Sequence, residues 1–302
     1  MKISIVTPNY NQRDLLQSTI RSVLDQGCLN LEYIIIDGNS NDGSQEVIKQ
    51  YQDKISYWCS ESDQGQYDAI NKGFNISSGE IMGWLNSSDI YMPWTLKTVH
   101  SIFTEFPQVQ WISSLQKVGI MEDGQFELIH RVPGFSASRF ERGLHGGPAC
   151  GEFIQQESCF WRRSLWEKAG GKIDTSYHFA ADFKLWGDFF QHERCTGVDA
   201  PLAAFRFHDS QRSAESKYLA EVEQILEECY SNRRIKPMTT GYQNLMRQRG
   251  IVLKDSCWRL DTNTDEMHLD ILKFWNDLFT KLIWKISTVT YLPLGIIKRL
   301  IN

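Results

Sequence analysis

The fold is decided by the stretch Ile81-Met82-Gly83-Trp84-Leu85-Asn86-Ser87-Ser88-Asp89-Ile90-Tyr91-Met92-Pro93, in which an apolar run ends in small polar residues and one carboxylate. This pattern predicts a buried strand that delivers Asp89 to an open rim. In open α/β sheets, ligands bind at the carboxyl ends of the strands. We therefore expect the residues before and after this stretch to form the two halves of one crevice.

Strands and helices are predicted to alternate through the first half of the chain. Helices are expected from Arg13, after Ser44 and over Gln64 to Ser77, and they separate four strands: Ile3 to Thr7, Leu31 to Asp37, Ile55 to Ser60 and Ile81 to Leu85. Ile34-Ile35-Ile36 is apolar without interruption, as in a strand buried on both faces. This order predicts a mainly parallel central sheet with helices on both faces.

The composition limits the classes of partner and compartment. The chain has 302 residues and a formal net charge of −5, so it lacks the basic excess that a nucleic-acid partner would need. Its seven cysteines are scattered and form no C-x-x-C pair, which indicates neither a disulfide framework nor a zinc site. The amino terminus carries no apolar segment of signal-peptide length, so we expect a cytoplasmic protein.

Polar residues at the ends of these elements are candidates for ligand binding. Asp37 follows a buried strand and opens a loop rich in Gly, Asn and Ser, so it either accepts hydrogen bonds from a nucleoside or stabilises the turn. Asp68 and Asn71 lie three positions apart and share one helix face, which either meets a ligand or is solvated surface.

Four segments together resemble the successive signatures of family 2 glycosyltransferases of the GT-A fold. They are 5–11 (Ile-Val-Thr-Pro-Asn-Tyr-Asn), 36–44 (Ile-Asp-Gly-Asn-Ser-Asn-Asp-Gly-Ser), 65–73 (Gly-Gln-Tyr-Asp-Ala-Ile-Asn-Lys-Gly) and 83–89 (Gly-Trp-Leu-Asn-Ser-Ser-Asp). The resemblance implies inverting transfer of a sugar from a nucleotide diphosphate sugar, expected to be a UDP-sugar, to a hydroxyl acceptor. It also implies a divalent metal, Mn²⁺ or Mg²⁺.

The same resemblance implies which residues contact the donor. Pro8, Tyr10 and Asp37 would hold the nucleoside, with Asp37 at the uracil or ribose. The full set of implied donor-binding residues is Thr7, Pro8, Tyr10, Asp37, Gln66, Asp68, Asn71, Asn86, Ser87, Ser88, Arg206 and Arg212.

The chain departs from the family at the expected metal site. The fourth strand of this branch usually ends in Asn-Ser-Asp-Asp, whereas Ser88 stands here at the position of the metal-binding Asp. A hydroxyl is a poor ligand for Mg²⁺ or Mn²⁺. Three interpretations follow: Asp89 takes over the metal, cationic side chains replace the metal, or catalysis is impaired. We expect the first.

The acceptor half carries further family-like segments. They are 154–166 (Ile-Gln-Gln-Glu-Ser-Cys-Phe-Trp-Arg-Arg-Ser-Leu-Trp) and 179–186 (Phe-Ala-Ala-Asp-Phe-Lys-Leu-Trp), and by this match Asp182 is the general base. Inversion at an anomeric carbon requires a carboxylate that takes the proton of the acceptor hydroxyl. The alternative role for Asp182 is a helix N-cap.

A family-like segment at 202–213 is predicted to run from strand into loop. Arg206 and His208 alternate onto one strand face. His208 could supply a nitrogen to a metal bound by Asp89, and Arg206 or Arg212 could bind diphosphate oxygens. Between the two halves, we predict a helix from Pro93 to Phe106, a strand from Val109 to Ser114, a hairpin around Asp123-Gly124 and a loop over 131–152.

The pattern changes after residue 215. Helices are predicted over Glu215 to Arg234, Tyr242 to Leu253 and Met267 to Ile286. Residues 278–302 are apolar with only cationic charges, a composition that fits peripheral contact with an anionic bilayer, or packing on the protein's own domain or a second protomer. Pro293 interrupts the apolar run, which is too short to span a membrane.

We therefore predict a GT-A domain over residues 1–215, with a nucleotide-binding half at 1–92 and an acceptor half at 93–215, followed by a helical C-terminal region at 216–302. The expected function is an inverting glycosyltransferase that acts on a glycan or lipid-linked glycan, as in bacterial surface polysaccharide synthesis, at the cytoplasmic membrane face. The alternative is a non-catalytic nucleotide-sugar or glycan-binding relative marked by Ser88. A nucleotidyltransferase is less compatible, because no Gly-rich, basic phosphate loop follows the first strand.

Overall fold

Strands and helices alternate through the first part of the chain in the computed structural model, which describes residues 1–121, 124–146, 153–207, 215–230, 250–254 and 257–261. The helices are α1 Arg13–Leu24, α2 Ser44–Lys49, α3 Gln66–Ile76, α4 Thr95–Glu105, α5 Ala137–Phe140, α6 Arg163–Lys168, α7 Ala181–His192 and α8 Glu215–Tyr230. The strands are β1 Ile3–Asn9, β2 Leu31–Asp37, β3 Tyr57–Ser60, β4 Ile81–Trp84, β5 Ile90–Tyr91, β6 Trp111–Ser114, β7 Gln116–Ile120, β8 Phe126–Arg131, β9 Phe160–Arg162, β10 Cys195–Val198, β11 Ala203–Arg206, β12 Gly250–Lys254 and β13 Cys257–Asp261.

The central sheet has the order β13-β12-β10-β6-β9-β4-β1-β2-β3. Its first four strands in sequence pair in parallel, and β9 runs antiparallel to both β4 and β6. Ile34, Ile35 and Ile36 of β2 are all buried, because helices cover both faces of the sheet. The predicted mainly parallel α/β sheet is confirmed.

A second sheet, of order β5-β11-β7-β8, lies beside the end of β4. Strands β7 and β8 form the predicted hairpin, with Gly124 at a φ of 81° in its turn. Strand β11 pairs with β5, which begins directly after Asp89. This pairing brings Arg206, the last residue of β11, to the end of β4.

Stacked tryptophans fix α7 against the central sheet. The ring of Trp186 on α7 stacks on Trp84 at 5.8 Å and on Trp111 at 5.5 Å between centroids. These buried aromatic pairs stabilise the packing beyond the area that they bury. Because α7 cannot shift along the sheet without breaking both stacks, the residues of its first turn have a defined position.

Two predicted elements differ from the structure. A helix was predicted over Tyr242 to Leu253, but Gly250–Lys254 form strand β12, which pairs with β10; residues 242–249 lie outside the described residues. The spacing of apolar residues over such a short segment did not distinguish a strand from a helix. The loop predicted over 131–152 contains the short helix α5. A single 3₁₀ turn at Gln156–Ser158 precedes β9.

The C-terminal helix predicted over Met267 to Ile286 and the tail at 278–302 lie outside the described residues. The described residues fall within one unit, 1–262. Among them, no helix has both the length and the apolar content that a bilayer crossing requires.

Candidate active site

The end of β4 holds a buried carboxylate surrounded by donors. Asp89 has no exposed surface, and its Oδ1 accepts the backbone N–H of Arg206 at 3.0 Å. Its Oδ2 accepts the amide Nδ2 of Asn86 at 3.2 Å. Burial raises the pKa of the Asp89 carboxyl group, and these hydrogen bonds and the charge of Arg206 only partly oppose the rise.

Asn86 links this carboxylate to α3 and to the 3₁₀ turn at 156–158. Its Oδ1 accepts from Nε2 of Gln66 at 2.6 Å, and its Nδ2 also donates to Oε1 of Gln156 at 3.1 Å. Gln156 in turn donates to the carbonyl oxygen of Trp84 at 2.8 Å. Two predicted donor-binding residues, Gln66 and Asn86, therefore lie in contact at the carboxyl end of β4.

The serines before Asp89 contribute through their backbone carbonyl oxygens, and the side chain of Ser88 also hydrogen-bonds to Asp89. The carbonyl oxygen of Ser88 accepts Nε of Arg206 at 3.0 Å, and that of Ser87 accepts Oγ1 of Thr19 at 2.9 Å. The guanidinium of Arg206 is thus held against the loop that carries Asp89. A fixed cation at this point suits the oxygens of a diphosphate.

The described side chains near Asp89 do not supply enough ligands to bind Mn²⁺ or Mg²⁺ by themselves. Mn²⁺ and Mg²⁺ need several oxygen ligands, whereas Asp89 offers one carboxylate whose two oxygens already face N–H donors. Within the described ranges, no cluster of three or more His, Cys, Asp or Glu side chains could hold a metal. The second predicted ligand, His208, lies outside the described residues, as does Arg212.

Asp37 is buried and fully engaged with its own chain. Its Oδ1 accepts from Nδ2 of Asn9 and Oγ of Ser40, each at 2.6 Å. Its Oδ2 accepts from the N–H of Ser40 at 2.9 Å and from Oγ of Ser60 at 2.5 Å. A carboxylate has about four acceptor sites, so all are used. This is the turn-stabilising arrangement, and it joins the ends of β1, β2 and β3.

Residues other than Asp37 were also predicted to contact the nucleoside in this region. The ring of Tyr10 is 64% exposed and lies over the backbone of Gly38, where a Cβ would meet its Cδ2 at 3.2 Å. Pro8 and Thr7 are buried in β1, and Oγ1 of Thr7 lies 3.0 Å from the hydroxyl of Tyr33. Tyr10 is thus the predicted nucleoside contact with an accessible side chain.

Helix α3 is held tightly between β1 and the acceptor half. A Cβ on Gly73 would lie 2.4 Å from Cγ1 of Val6, so only glycine allows this approach. Asn71 donates to the carbonyl oxygen of Ile173 at 2.9 Å and accepts its N–H at 2.8 Å. Asp68 accepts from the N–H of Gln64 and pairs with Lys72. These two predicted ligand contacts are occupied within the protein.

Asp182 lies in the first turn of α7, one residue after its start. The N-cap position belongs to Ala180, so the alternative role of Asp182 as the N-cap is wrong. The Oδ1 atom of Asp182 is out of contact with water and has no hydrogen-bond partner among the described residues. Burial, together with the charges of Glu157 and Glu221, raises the pKa of Asp182 to about 7.

Glu157 is a third buried carboxyl group, and its charge interacts with those of both predicted site carboxylates. It is buried in the 3₁₀ turn at 156–158, and burial and the charge of Asp89 raise its pKa. The charge of Glu157 in turn raises the pKa of Asp182. The structure therefore brings Asp89, Glu157 and Asp182 into one electrostatic cluster. No motif assigned a role to Glu157, although a Glu within an apolar, aromatic segment is a signal of a buried acid.

The sequence profile described as Glycosyl transferase family 2 matches residues 4–163, which is more than half of the chain. The chain belongs to glycosyltransferase family 2. This match covers both the β4 terminus and the 3₁₀ turn with Glu157, and it ends before α7 and α8.

The names of two relatives of this family 2 chain state a biosynthetic pathway or an acceptor. The putative teichuronic acid biosynthesis glycosyltransferase TuaG of Bacillus subtilis is 36% identical over 29% of this chain and 36% of its own length. The GalNAc(5)-diNAcBac-PP-undecaprenol beta-1,3-glucosyltransferase of Campylobacter jejuni is 31% identical over 32% of this chain and 33% of its own length. The chain spans 33% of the length of one of its strongest curated matches and 65% of the length of another.

Solved structures show the same fold at low sequence identity. TarS 1–349 of S. aureus, in complex with UDP-GlcNAc, is 16% identical with a TM-score of 0.54, over 76% of this chain and 71% of that chain. Glucosyl-3-phosphoglycerate synthase of Mycobacterium tuberculosis, in complex with Mn²⁺, UDP and glucosyl-3-phosphoglycerate, is 14% identical with a TM-score of 0.54, over 87% of both chains. The chain therefore has the GT-A fold.

Proposed function

We propose that this family 2 chain transfers a sugar, with inversion, from a UDP-sugar to a hydroxyl of a glycan or lipid-linked glycan. The observation that carries the proposal is the Oδ1 atom of Asp182, which is buried and has no hydrogen-bond partner among the described residues. A general base must have a free oxygen to accept a proton, and its pKa should lie near the working pH. Asp182 meets both requirements.

Asp182 would take the proton of the acceptor hydroxyl as its oxygen attacks the anomeric carbon. The bond to the diphosphate oxygen breaks at the same time on the opposite face, which inverts the centre. Arg206, fixed beside Ser88, would face the charge that develops on the leaving diphosphate. Tyr10 would cover the base of the nucleotide with its exposed ring.

The role of a divalent metal is a separate part of the proposal. The synthase from M. tuberculosis holds Mn²⁺ with UDP, whereas the described residues of this chain do not form a metal site by themselves. Asp89 and His208 remain the predicted ligands.

The proposed acceptor class is supported by the names of the two relatives, one a putative glycosyltransferase of teichuronic acid biosynthesis and the other a glucosyltransferase for an undecaprenol-linked oligosaccharide. A lipid-linked acceptor would require peripheral contact with the inner face of the membrane. Residues 278–302 are the predicted contact segment, and the alternative is that they pack on a second protomer in a homodimer. The rival function, a non-catalytic glycan-binding relative, would have no need of an unpaired base.

The test is a measurement of UDP release from a panel of UDP-sugars, with and without a lipid-linked oligosaccharide acceptor. We expect the wild-type chain to release UDP, and we expect Asp182→Asn to lower the rate of release by about 10²- to 10⁴-fold without changing UDP affinity. Undiminished turnover in this variant, or no release from any donor by the wild-type chain, would refute the proposal.

A further inference from the structure

Helix α7 has no side-chain cap, and a carboxylate on α8 instead binds the turn that precedes it. Ala180 occupies the N-cap position and contributes no side-chain acceptor. The carboxylate of Glu221 on α8 instead accepts three consecutive backbone N–H groups: those of His178 at 2.9 Å, Phe179 at 2.7 Å and Ala180 at 2.8 Å. These N–H groups belong to the N-cap residue and to the two residues before it, so they have no acceptor within the helix itself.

Further contacts hold the same turn from two sides. Tyr67 of α3 donates its hydroxyl to the carbonyl oxygen of Phe179 at 2.9 Å. On the other side, the ammonium of Lys217 lies 5.4 Å from the ring centroid of Phe179, and Tyr177 donates to Oε2 of Glu228 at 2.5 Å. The turn that precedes Asp182 is therefore fixed mainly by side chains of α8, which lies beyond the family match.

We propose that Glu221 is a positioning residue for Asp182: its carboxylate fixes the turn at 178–180 and places a negative charge beside the base. This inference rests on the proposed function, in which Asp182 accepts the proton of the acceptor. Asp182 lies two residues after the last N–H that Glu221 holds, so a shift of the turn moves the carboxyl group with it.

Glu221 affects Asp182 through its charge as well as by fixing the turn at 178–180. Burial is the main cause of the raised pKa of Asp182, and the charges of Glu157 and Glu221 add to it. The other titratable groups that act on this carboxyl are the phenols of Tyr67 and Tyr218 and the thiol of Cys159. Burial raises the pKa of each of these three groups, so they are neutral near pH 7.

Two variants separate the geometric from the electrostatic effect. Glu221→Gln retains an oxygen that can accept the N–H groups of Phe179 and Ala180 but removes the charge. We expect the acidic limb of its kcat profile to move to lower pH, with the KM for the UDP-sugar unchanged. Glu221→Ala also releases the turn, and we expect kcat to fall on the order of 10²-fold, as for a misplaced catalytic group.

The matched controls are Glu223→Gln and Glu223→Ala, which change an exposed residue on the same helix. UDP release from the best donor of the panel is measured from pH 5 to 9, with UDP affinity as the check of folding. An unmoved acidic limb in Glu221→Gln overturns the inference, as does wild-type kcat in Glu221→Ala. A wild-type chain without activity, or an active Asp182→Asn, refutes instead the function on which the inference rests.

Discussion

The backbone N–H of Arg206 donates to Oδ1 of Asp89 at 3.0 Å and so joins the second sheet to the end of β4 across 117 positions of the chain. The second oxygen of Asp89 meets the Asn86 amide. A cation would have to compete with both donors. The carboxylate is therefore a single anionic ligand that needs further oxygens before it can hold a metal, and a nucleotide diphosphate carries such oxygens.

We expect Mn²⁺ to bind only together with UDP. In isothermal titration, Mn²⁺ alone should give no binding heat with the wild-type chain, because one engaged carboxylate cannot replace the hydration shell of the ion. Mn²⁺ added with UDP should bind, and Asp89→Asn should abolish that uptake. Asp25→Asn, which changes an exposed carboxylate on the surface of α1, is the control. Mn²⁺ uptake that survives in Asp89→Asn would remove Asp89 from the metal site.

Replacing Asp182 by Asn should lower kcat by about 10²- to 10⁴-fold, the usual contribution of a positioned general base. The amide keeps the size of the side chain but cannot accept the proton. UDP affinity should not change, since the base faces the acceptor. Asp188→Asn on the same helix removes a carboxylate that pairs with Lys184, and it should retain activity. Equal losses in both variants would indicate damage to α7 rather than loss of a base.

Activity should rise with pH through about 7. The pKa of Asp182 is raised to about 7, mainly by burial, so below this pH the carboxyl group is protonated and cannot act as a base. The kcat for UDP release, measured at saturating donor, should therefore fall about tenfold for each pH unit below the pKa, as the fraction of the ionised form falls. A flat profile between pH 5 and 8 would contradict this role.

Asn71→Ala tests whether the Asn71 amide serves the donor or the fold. Its two hydrogen bonds hold the peptide of Ile173, 102 positions away. We expect the variant to lose about 1–3 kcal/mol of unfolding free energy, because the partner groups are left without hydrogen bonds. UDP affinity measured by titration should stay close to that of the wild type. A large loss of UDP affinity at unchanged stability would support the predicted donor contact.

Local patterns were sufficient to predict the elements of the nucleotide-binding half. The unbroken run Ile34 to Ile36 predicts a strand buried on both faces, and its end at Asp37 matches the structure. The same reasoning failed at the end of the helix predicted over Tyr242 to Leu253, because Gly250–Lys254 form a strand that pairs with β10. Pairing with a distant strand overrode the local preference there.

The site was less predictable than the fold, because side-chain partners are distant in sequence. Asp37 was correctly placed at a strand end, but nothing local indicates that Asn9 and Ser60 fill its acceptor sites. Glu157 lacked a motif-based role, and only the folded chain brings it beside Asp89 and Asp182. The contact of Glu221 with the turn at 178–180 likewise depends on how α8 packs on α7.

Glu32→Gln should make the chain less stable at neutral pH. The buried Glu32 carboxylate accepts from Nζ of Lys2 and Oγ of Ser4, each at 2.5 Å, and from the N–H and Oγ of Ser78 at 2.7 and 2.8 Å. Burial alone would raise the pKa of Glu32, but these hydrogen bonds outweigh it and lower the pKa from 4.5 to about 2. A shift of this size corresponds to about 3 kcal/mol between the two protonation states.

Because the folded-state pKa lies below the unfolded one, this stabilisation is complete above pH 4.5 and is lost as the pH falls through about 2. Urea unfolding at pH 7 should therefore show a loss of up to about 3 kcal/mol in Glu32→Gln, and the difference from the wild type should shrink towards pH 2. Glu80→Gln, which changes an exposed carboxylate just before β4, is the control. A difference that stays constant from pH 7 to pH 2 would mean that the charge of Glu32 does not stabilise the junction of β1, β2 and the loop at 78–79.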